Sequence, residues 1–161
     1  MTIRAGDKIP FIDLWAMGKN SPQTIATSDI FTDRCVVLFA LPGAYTPTCS
    51  AAHLPGFMAL HNEFKAAGVD QIACLSVNDA YVMDAWGKAQ SVDDEILMLA
   101  DGNGEFTHAV GLEIDRRASG MGTRSQRYAM IVNDGIVSHI SVEKPGAFDI
   151  SDAKSILDKL L

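Results

Sequence analysis

The chain has 161 residues, 48% of them hydrophobic, enough apolar material to bury one substantial core. Its 20 acidic and 13 basic side chains leave a formal net charge of −7, which disfavours nucleic acid and anionic membrane surfaces as partners. No segment is repeated or of low complexity, no apolar run approaches the ~18 residues of a membrane-spanning helix, and three cysteines without a CxxC pair argue against a disulfide framework or a zinc knuckle. The expectation is one domain over residues 1–161 in a reducing, cytoplasmic setting. Met1 to Pro10 carries Arg4, Asp7 and Lys8 with no apolar run behind them, so a secretory leader is not expected.

In chain order, Cys35 to Leu41 is a continuous apolar run ended by Pro42-Gly43, the pattern of a strand buried on both faces. From Cys49 to Ala67, Leu54, Phe57, Met58, His61 and Phe64 recur at three- and four-residue steps before Gly68, which predicts a long helix bent at Pro55. Gln71 to Val77 reads as a second buried strand. Asn78-Asp79 then caps a helix over Ala80 to Ala89 with Val82, Ala85 and Trp86 on one side. Ile96 to Ala100 is a third strand, Asp101 to Gly104 a turn, and Glu105 to Val110 a short helix. Arg127 to Val132 and Ile136 to Val142 are strands joined through Asn133-Asp134-Gly135, and Ser151 is the expected cap of a final helix. A βαβ half followed by a hairpin and helix predicts an α/β, thioredoxin-like fold, with a central mixed β-sheet flanked by helices.

Cys49 falls where a loop meets a helix N-terminus, so first-turn amides and the helix dipole favour its thiolate. Cys35 and Cys74 lie in apolar strands, where a small buried hydrophobe is the simpler role. Reducing a peroxide needs more than a thiolate, because the departing oxygen must receive charge stabilisation and a proton. Thr46, three residues before Cys49, can bring a hydroxyl to the sulfur and to a bound oxygen, while Pro42 and Pro47 stiffen the loop. Arg124 and Arg127, at the start of the hairpin strand, are candidates for the cation, if the sheet sets that strand beside the Cys35 strand.

Pro42-Gly-Ala-Tyr-Thr46-Pro-Thr-Cys49 is similar to the PxxxTxxC signature of peroxiredoxins, and Ser50 to Phe57 resembles the peroxiredoxin 5, or type II, branch. Ala73 to Ala80, Arg124 to Met130 and Asp134 to Val137 extend the resemblance over nearly the whole chain. It implies that Cys49 is oxidised by hydrogen peroxide or an organic hydroperoxide to a sulfenic acid. It further implies that Thr46 binds sulfur and substrate, Pro42 shields the intermediate, Arg127 is the catalytic arginine, Arg124 is a supporting cation, and the protein is a homodimer. Some members carry a resolving cysteine near the C-terminus, but no cysteine follows Val142, and Cys74 sits on a strand where direct attack is awkward. A one-cysteine cycle reduced by glutathione with glutaredoxin, or by thioredoxin, is therefore expected.

Other readings are weaker on the residues. His53, four after Cys49, could pair with it for hydrolysis, but no oxyanion hole or orienting group is identifiable, so packing or hydrogen bonding near the site entrance is preferred. No short-range ligand spacing among Cys49, His53, His61, His108 and His139 supports a metal, and no cofactor is implied. A redox sensor or holdase using Cys49 as a switch shares the same thiol chemistry and is separated from an enzyme by sustained turnover.

Overall fold

The computed structural model describes residues 1–161. The apolar run after Arg34 becomes β3 (Cys35–Ala40), whose alternate side chains enter two different cores, as the period of a strand requires. Val37 and Phe39 face one side; Val36, Leu38 and Ala40 face the other. On one side of it, β4 (Gln71–Ser76) and β5 (Ile96–Ala100) run parallel to it, and on the other the hairpin β8 (Tyr128–Asn133) and β9 (Ile136–Val142) closes the sheet antiparallel. The hairpin turn places Asp134 and Gly135 at φ of 47° and 76°, the left-handed geometry that an Asp-Gly pair tolerates.

The opposite edge was not foreseen. An N-terminal hairpin, β1 (Asp13–Met17) and β2 (Pro22–Ala26), extends the sheet to seven strands in the order β2-β1-β5-β4-β3-β8-β9. Only Leu14 in β1 is fully buried, so the alternation that would have announced the strand is missing. A small second sheet pairs β6 (Glu113–Asp115) with β7 (Thr123–Ser125), and Arg124 lies in β7 rather than on the hairpin strand.

Helices cover both faces. α1 (Thr27–Phe31) and α5 (Glu105–Ala109) sit over the core that contains Leu38 and Tyr128, and the remaining helices cover the core that contains Phe39 and Ile131. The expected helix from Cys49 to Ala67 is three pieces. Pro47 and Thr48 begin it, a wide π-helical turn runs over Cys49–His53, and α2 (Leu54–Ala59) is separated from α3 (His61–Ala66) by Leu60 at φ −102° and ψ 12°. The bend predicted at Pro55 is thus a widening just before it. Leu54 N–H reaches back to the Cys49 carbonyl, and Pro55, which has no N–H to donate, occupies the first turn of α2. Phe57 of α2 stacks on Phe39 of β3 at 4.2 Å and on Phe64 of α3 at 5.5 Å, which fixes this helix against the sheet.

Two further expectations change. In α4 (Ala80–Ala89) the buried face is Ala80, Met83, Trp86 and Gly87; Val82 is half-buried and Ala85 exposed, because the sheet lies one position round from the apolar stripe that was read. Asp152, not Ser151, caps α6 (Ala153–Leu160), its carboxylate accepting from Ser155 N–H. Ser151 is buried and serves the site described next.

Candidate active site

The loop that leaves β3 is held from several directions. Ala44 N–H donates to Asn78 Oδ1 at 3.0 Å, and Ser76 Oγ donates to the same oxygen at 2.6 Å, so the end of β4 fixes the loop. Asn78, read only as part of a helix cap, is the anchor; Asp79 alone caps α4 through Val82 N–H. A Cβ on Gly43 would lie 3.0 Å from Arg124 Nη1 and 3.3 Å from Thr46 Cγ2, so glycine is what lets those side chains close on the loop. Tyr45 follows at φ 63°, a strained position for a non-glycine residue. Ser50 N–H then donates to the Thr46 carbonyl at 3.0 Å, and Trp86 Nε1 donates to Ser50 Oγ at 3.0 Å, pinning the first turn to α4.

Thr46 takes a different partner from the one expected. Its hydroxyl donates to the Gly43 carbonyl at 2.7 Å rather than to the sulfur, so its lone pairs remain available as acceptors. Pro42 offers its carbonyl to Arg124 Nη1 at 3.3 Å, while Arg124 Nε donates to the Met121 carbonyl at 2.9 Å. Arg124 therefore braces the loop and makes no hydrogen bond to Cys49.

Arg127 is the cation at the sulfur. Tyr128 pairs with Ala40 across β8 and β3, so the residue just before β8 arrives at the end of β3 from which the loop departs. Its Nη2 donates to Cys49 Sγ at 3.1 Å, a contact between residues 78 apart in sequence. Cys49 is fully buried, which loop-to-helix reasoning did not anticipate. Its neighbour Arg127 lines a cleft of about 230 Å³ together with Pro42, Thr46 and Thr48, so the sulfur lies one layer beneath the cleft wall.

His53 is buried under the arginine rather than placed at the entrance. The wide turn sets it on the same side as Cys49, and Arg127 Nη1 lies 2.8 Å from its Nδ1. A carbonyl only accepts, so the 3.0 Å contact of Nε2 with the Ser151 carbonyl puts the ring proton on Nε2 and leaves Nδ1 free to accept from the guanidinium. Burial, then the Arg127 charge, bring the His53 pKa down to about 3, against weaker pulls from the Ser151 carbonyl, Glu143 and Asp152. The ring is neutral at physiological pH and orients the arginine without competing for its charge.

Behind His53 stands a residue the sequence reading passed over. Glu143 is buried, and one oxygen, Oε1, accepts from the amides of Asp149, Ile150 and Ser151 at 2.8, 2.6 and 2.7 Å. Burial alone would raise its pKa, but the three amides outweigh it and hold the carboxyl below the usual range. The loop so fixed supplies the Ser151 carbonyl and also Phe148, whose ring lies 5.0 Å from the His53 ring and 5.7 Å from the Arg127 guanidinium carbon. A charged residue just past β9 is the one local signal of this anchor.

Of the three thiols, Cys49 alone accepts a hydrogen bond from Arg127. Cys74 is fully buried in β4, and burial, then the nearby Cys49, push its thiol well above the ordinary range. Cys35, at the open end of β3, is half-buried rather than core; burial and Asp70 raise it. All three cysteines are free.

A thiol under a guanidinium, beside a small cleft and a threonine, is equipped to be oxidised by a small electrophile. The sequence model of the family described as Redoxin matches residues 4–157. The chain is 44% identical to chloroplastic peroxiredoxin-2E of Arabidopsis thaliana, covering 99% of this chain and 70% of that protein. It is 49% identical to peroxiredoxin sll1621 of Synechocystis, covering 81% and 72%. The chain belongs to the peroxiredoxins. Reduced Prx3 of Vibrio vulnificus in complex with hydrogen peroxide superposes with a TM-score of 0.96 at 49% identity, covering 99% of this chain and 100% of that one. Peroxiredoxin 5 of Alvinella pompejana gives 0.87 at 34% identity, covering 98% and 97%. This peroxiredoxin is of the type II, or peroxiredoxin 5, branch, has the thioredoxin-like fold, and is a thiol-dependent peroxidase.

Proposed function

We propose that Cys49 is the peroxidatic thiol of this peroxidase, acting on hydrogen peroxide and organic hydroperoxides in a one-cysteine cycle. The observation that carries this reading is Arg127 Nη2 at 3.1 Å from Cys49 Sγ, at the wall of the cleft. The thiolate attacks the terminal oxygen of the hydroperoxide; an S–O bond forms, the O–O bond breaks, and the departing alkoxide or hydroxide takes a proton and leaves as alcohol or water. Sulfur is oxidised by two electrons to a sulfenic acid. Arg127 neutralises the thiolate and the charge building on the leaving oxygen, and the acceptor lone pairs of Thr46 take the hydrogen bond of the bound hydroperoxide. Pro42 covers the loop end and, through its carbonyl, fixes Arg124.

A donor thiol then attacks the sulfenic sulfur, forming a mixed disulfide and releasing water. A second thiol returns Cys49 and carries away the disulfide. Glutathione with glutaredoxin, or thioredoxin, supplies these two thiols. The buried position of Cys74 within β4 supports this route over internal resolution. The exposed tyrosines Tyr45 and Tyr81 lie near the two ends of the Ala44 to Asn78 hydrogen bond and support a homodimer packed through this end, and three free thiols support a reducing cytoplasm.

Mass analysis after one equivalent of hydrogen peroxide tests the cycle. Sulfenic acid on Cys49 that glutathione with glutaredoxin, or thioredoxin, returns to thiol is expected. An internal Cys49 to Cys74 disulfide as the major product would overturn it.

A further inference from the structure

The charge at the mouth of the cleft runs against that of the molecule. In a chain with a formal net charge of −7, Arg116, Arg127 and Lys144 all line the cleft of about 230 Å³, and Glu143 is the one carboxylate beside them. That carboxylate is engaged by the three amides of residues 149–151. The ion pairs of the protein, Lys88 with Asp84, His108 with Glu113, Arg117 with Asp115 and Lys154 with Asp158, involve none of the cleft cations. Arg127 is occupied by Cys49 and His53, which leaves Arg116 and Lys144. Arg116 Nε is moreover shielded from solvent with no hydrogen-bond partner, although Arg117 beside it holds Asp115 through three nitrogen to oxygen contacts. No carboxylate of the chain pairs with Arg116, so its charge is left uncompensated within the protein at the cleft that it lines.

We propose that Arg116 and Lys144 form a carboxylate subsite at the cleft mouth, so that this peroxidase favours reactants carrying their reactive atom on a small carboxylate-bearing frame. The inference rests on Cys49 being the reacting thiol. The chemistry at sulfur is unchanged; the subsite raises the local concentration of the reactant and orients it toward Arg127. Two sources present this carboxylate, an anionic organic hydroperoxide in the oxidising step and a carboxylate-bearing thiol such as glutathione in the reducing step.

Paired reactants separate the sources in the intact protein. In the first arm, Cys49 oxidation is timed by stopped flow with an alkyl hydroperoxide bearing a terminal carboxylate, with its methyl ester, and with hydrogen peroxide. In the second, recovery of the oxidised protein is timed with glutathione and with its diethyl ester, corrected for thiol ionisation. An acid-to-ester rate ratio of roughly five or more in at least one arm is expected at low ionic strength, as a charge-assisted hydrogen bond gives. That ratio falls toward one in concentrated salt. Arg116→Gln and Lys144→Gln each lower it, whereas Lys19→Gln, which removes the same charge from an exposed loop far along the chain, does not. Should Arg116→Gln fail to fold, Lys144→Gln and the salt titration of the unaltered protein decide the matter. A ratio near one in both arms, with hydrogen peroxide still consumed, overturns the subsite alone. Failure of Cys49 to react with any peroxide overturns the assignment of the thiol and the subsite together.

Discussion

Cys49 and Cys74 have the same solvent exposure, none, and belong to the same apolar core, yet their surroundings differ in kind. Cys74 is locked in β4 between Phe39 of β3 and Met98 of β5, and its environment opposes ionisation. Cys49 sits in a turn of helix where a guanidinium reaches it at 3.1 Å, that guanidinium is oriented by a neutral histidine, and the histidine is held by a loop that Glu143 fastens. On the proposed function, burial does not separate a reactive cysteine from an inert one. The separation lies in the donor that faces the sulfur and in what keeps that donor aimed.

The comparison breaks most sharply at the nucleophile. Cys49→Ser should lower peroxide consumption by at least a thousandfold, about the scale on which removing a nucleophile acts, checked by steady-state assay with a thiol donor. Arg127→Ala comes next. It removes the cation that distinguishes the two sulfurs, and oxidation should slow by about a hundred- to a thousandfold, the scale for losing a preorganised donor, measured by stopped flow.

A smaller effect is expected one link back. His53→Ala should slow oxidation about tenfold by releasing Arg127, whereas His53→Gln, which keeps a donor for the Ser151 carbonyl and an acceptor for Arg127, should restore most of it. The same residue carries a pH signature. Its folded pKa of about 3 lies below the ordinary 6.5, so between those values the unfolded chain binds one more proton. Stability is then lost as pH falls below 6.5, by up to ~1.4 kcal/mol per pH unit, and His53→Gln should flatten that part of a denaturant-derived profile. The mildest case is Glu143→Gln. Weakening the three bonds to residues 149–151 should slow oxidation about two- to fivefold and cost roughly 1 to 3 kcal/mol of stability, both readable from rate and melting measurements.

How much was legible follows the range of each interaction. β3, β4, α4 and the β8 to β9 hairpin announce themselves through apolar runs, an Asp cap and an Asp-Gly turn, all local signals. Cys49 and Thr46 could be nominated because the loop motif is written within eight consecutive residues, although the Thr46 hydroxyl turns to the Gly43 carbonyl rather than to the sulfur. Arg127 could be nominated only on condition that its strand met β3, and the register Ala40 to Tyr128 meets that condition. The wide turn over Cys49–His53 was hidden because a helix pattern with Pro55 predicts a bend, not an extra residue in the preceding turn. Glu143, Asn78 and the Ser151 carbonyl act through side chain to backbone contacts that no periodicity encodes. The N-terminal hairpin was missed for a simpler reason, since a strand with one fully buried residue leaves no alternation to read.

On the proposed function, one sulfur and the guanidinium beside it suffice for the first chemical step. The most direct test is the second-order rate constant for hydrogen peroxide with Cys35→Ser and Cys74→Ser combined in one protein. It should remain within about threefold of the unaltered chain, since neither substitution removes the hydrogen bond from Arg127 to Cys49; a fall of two orders of magnitude in a correctly folded protein would contradict it.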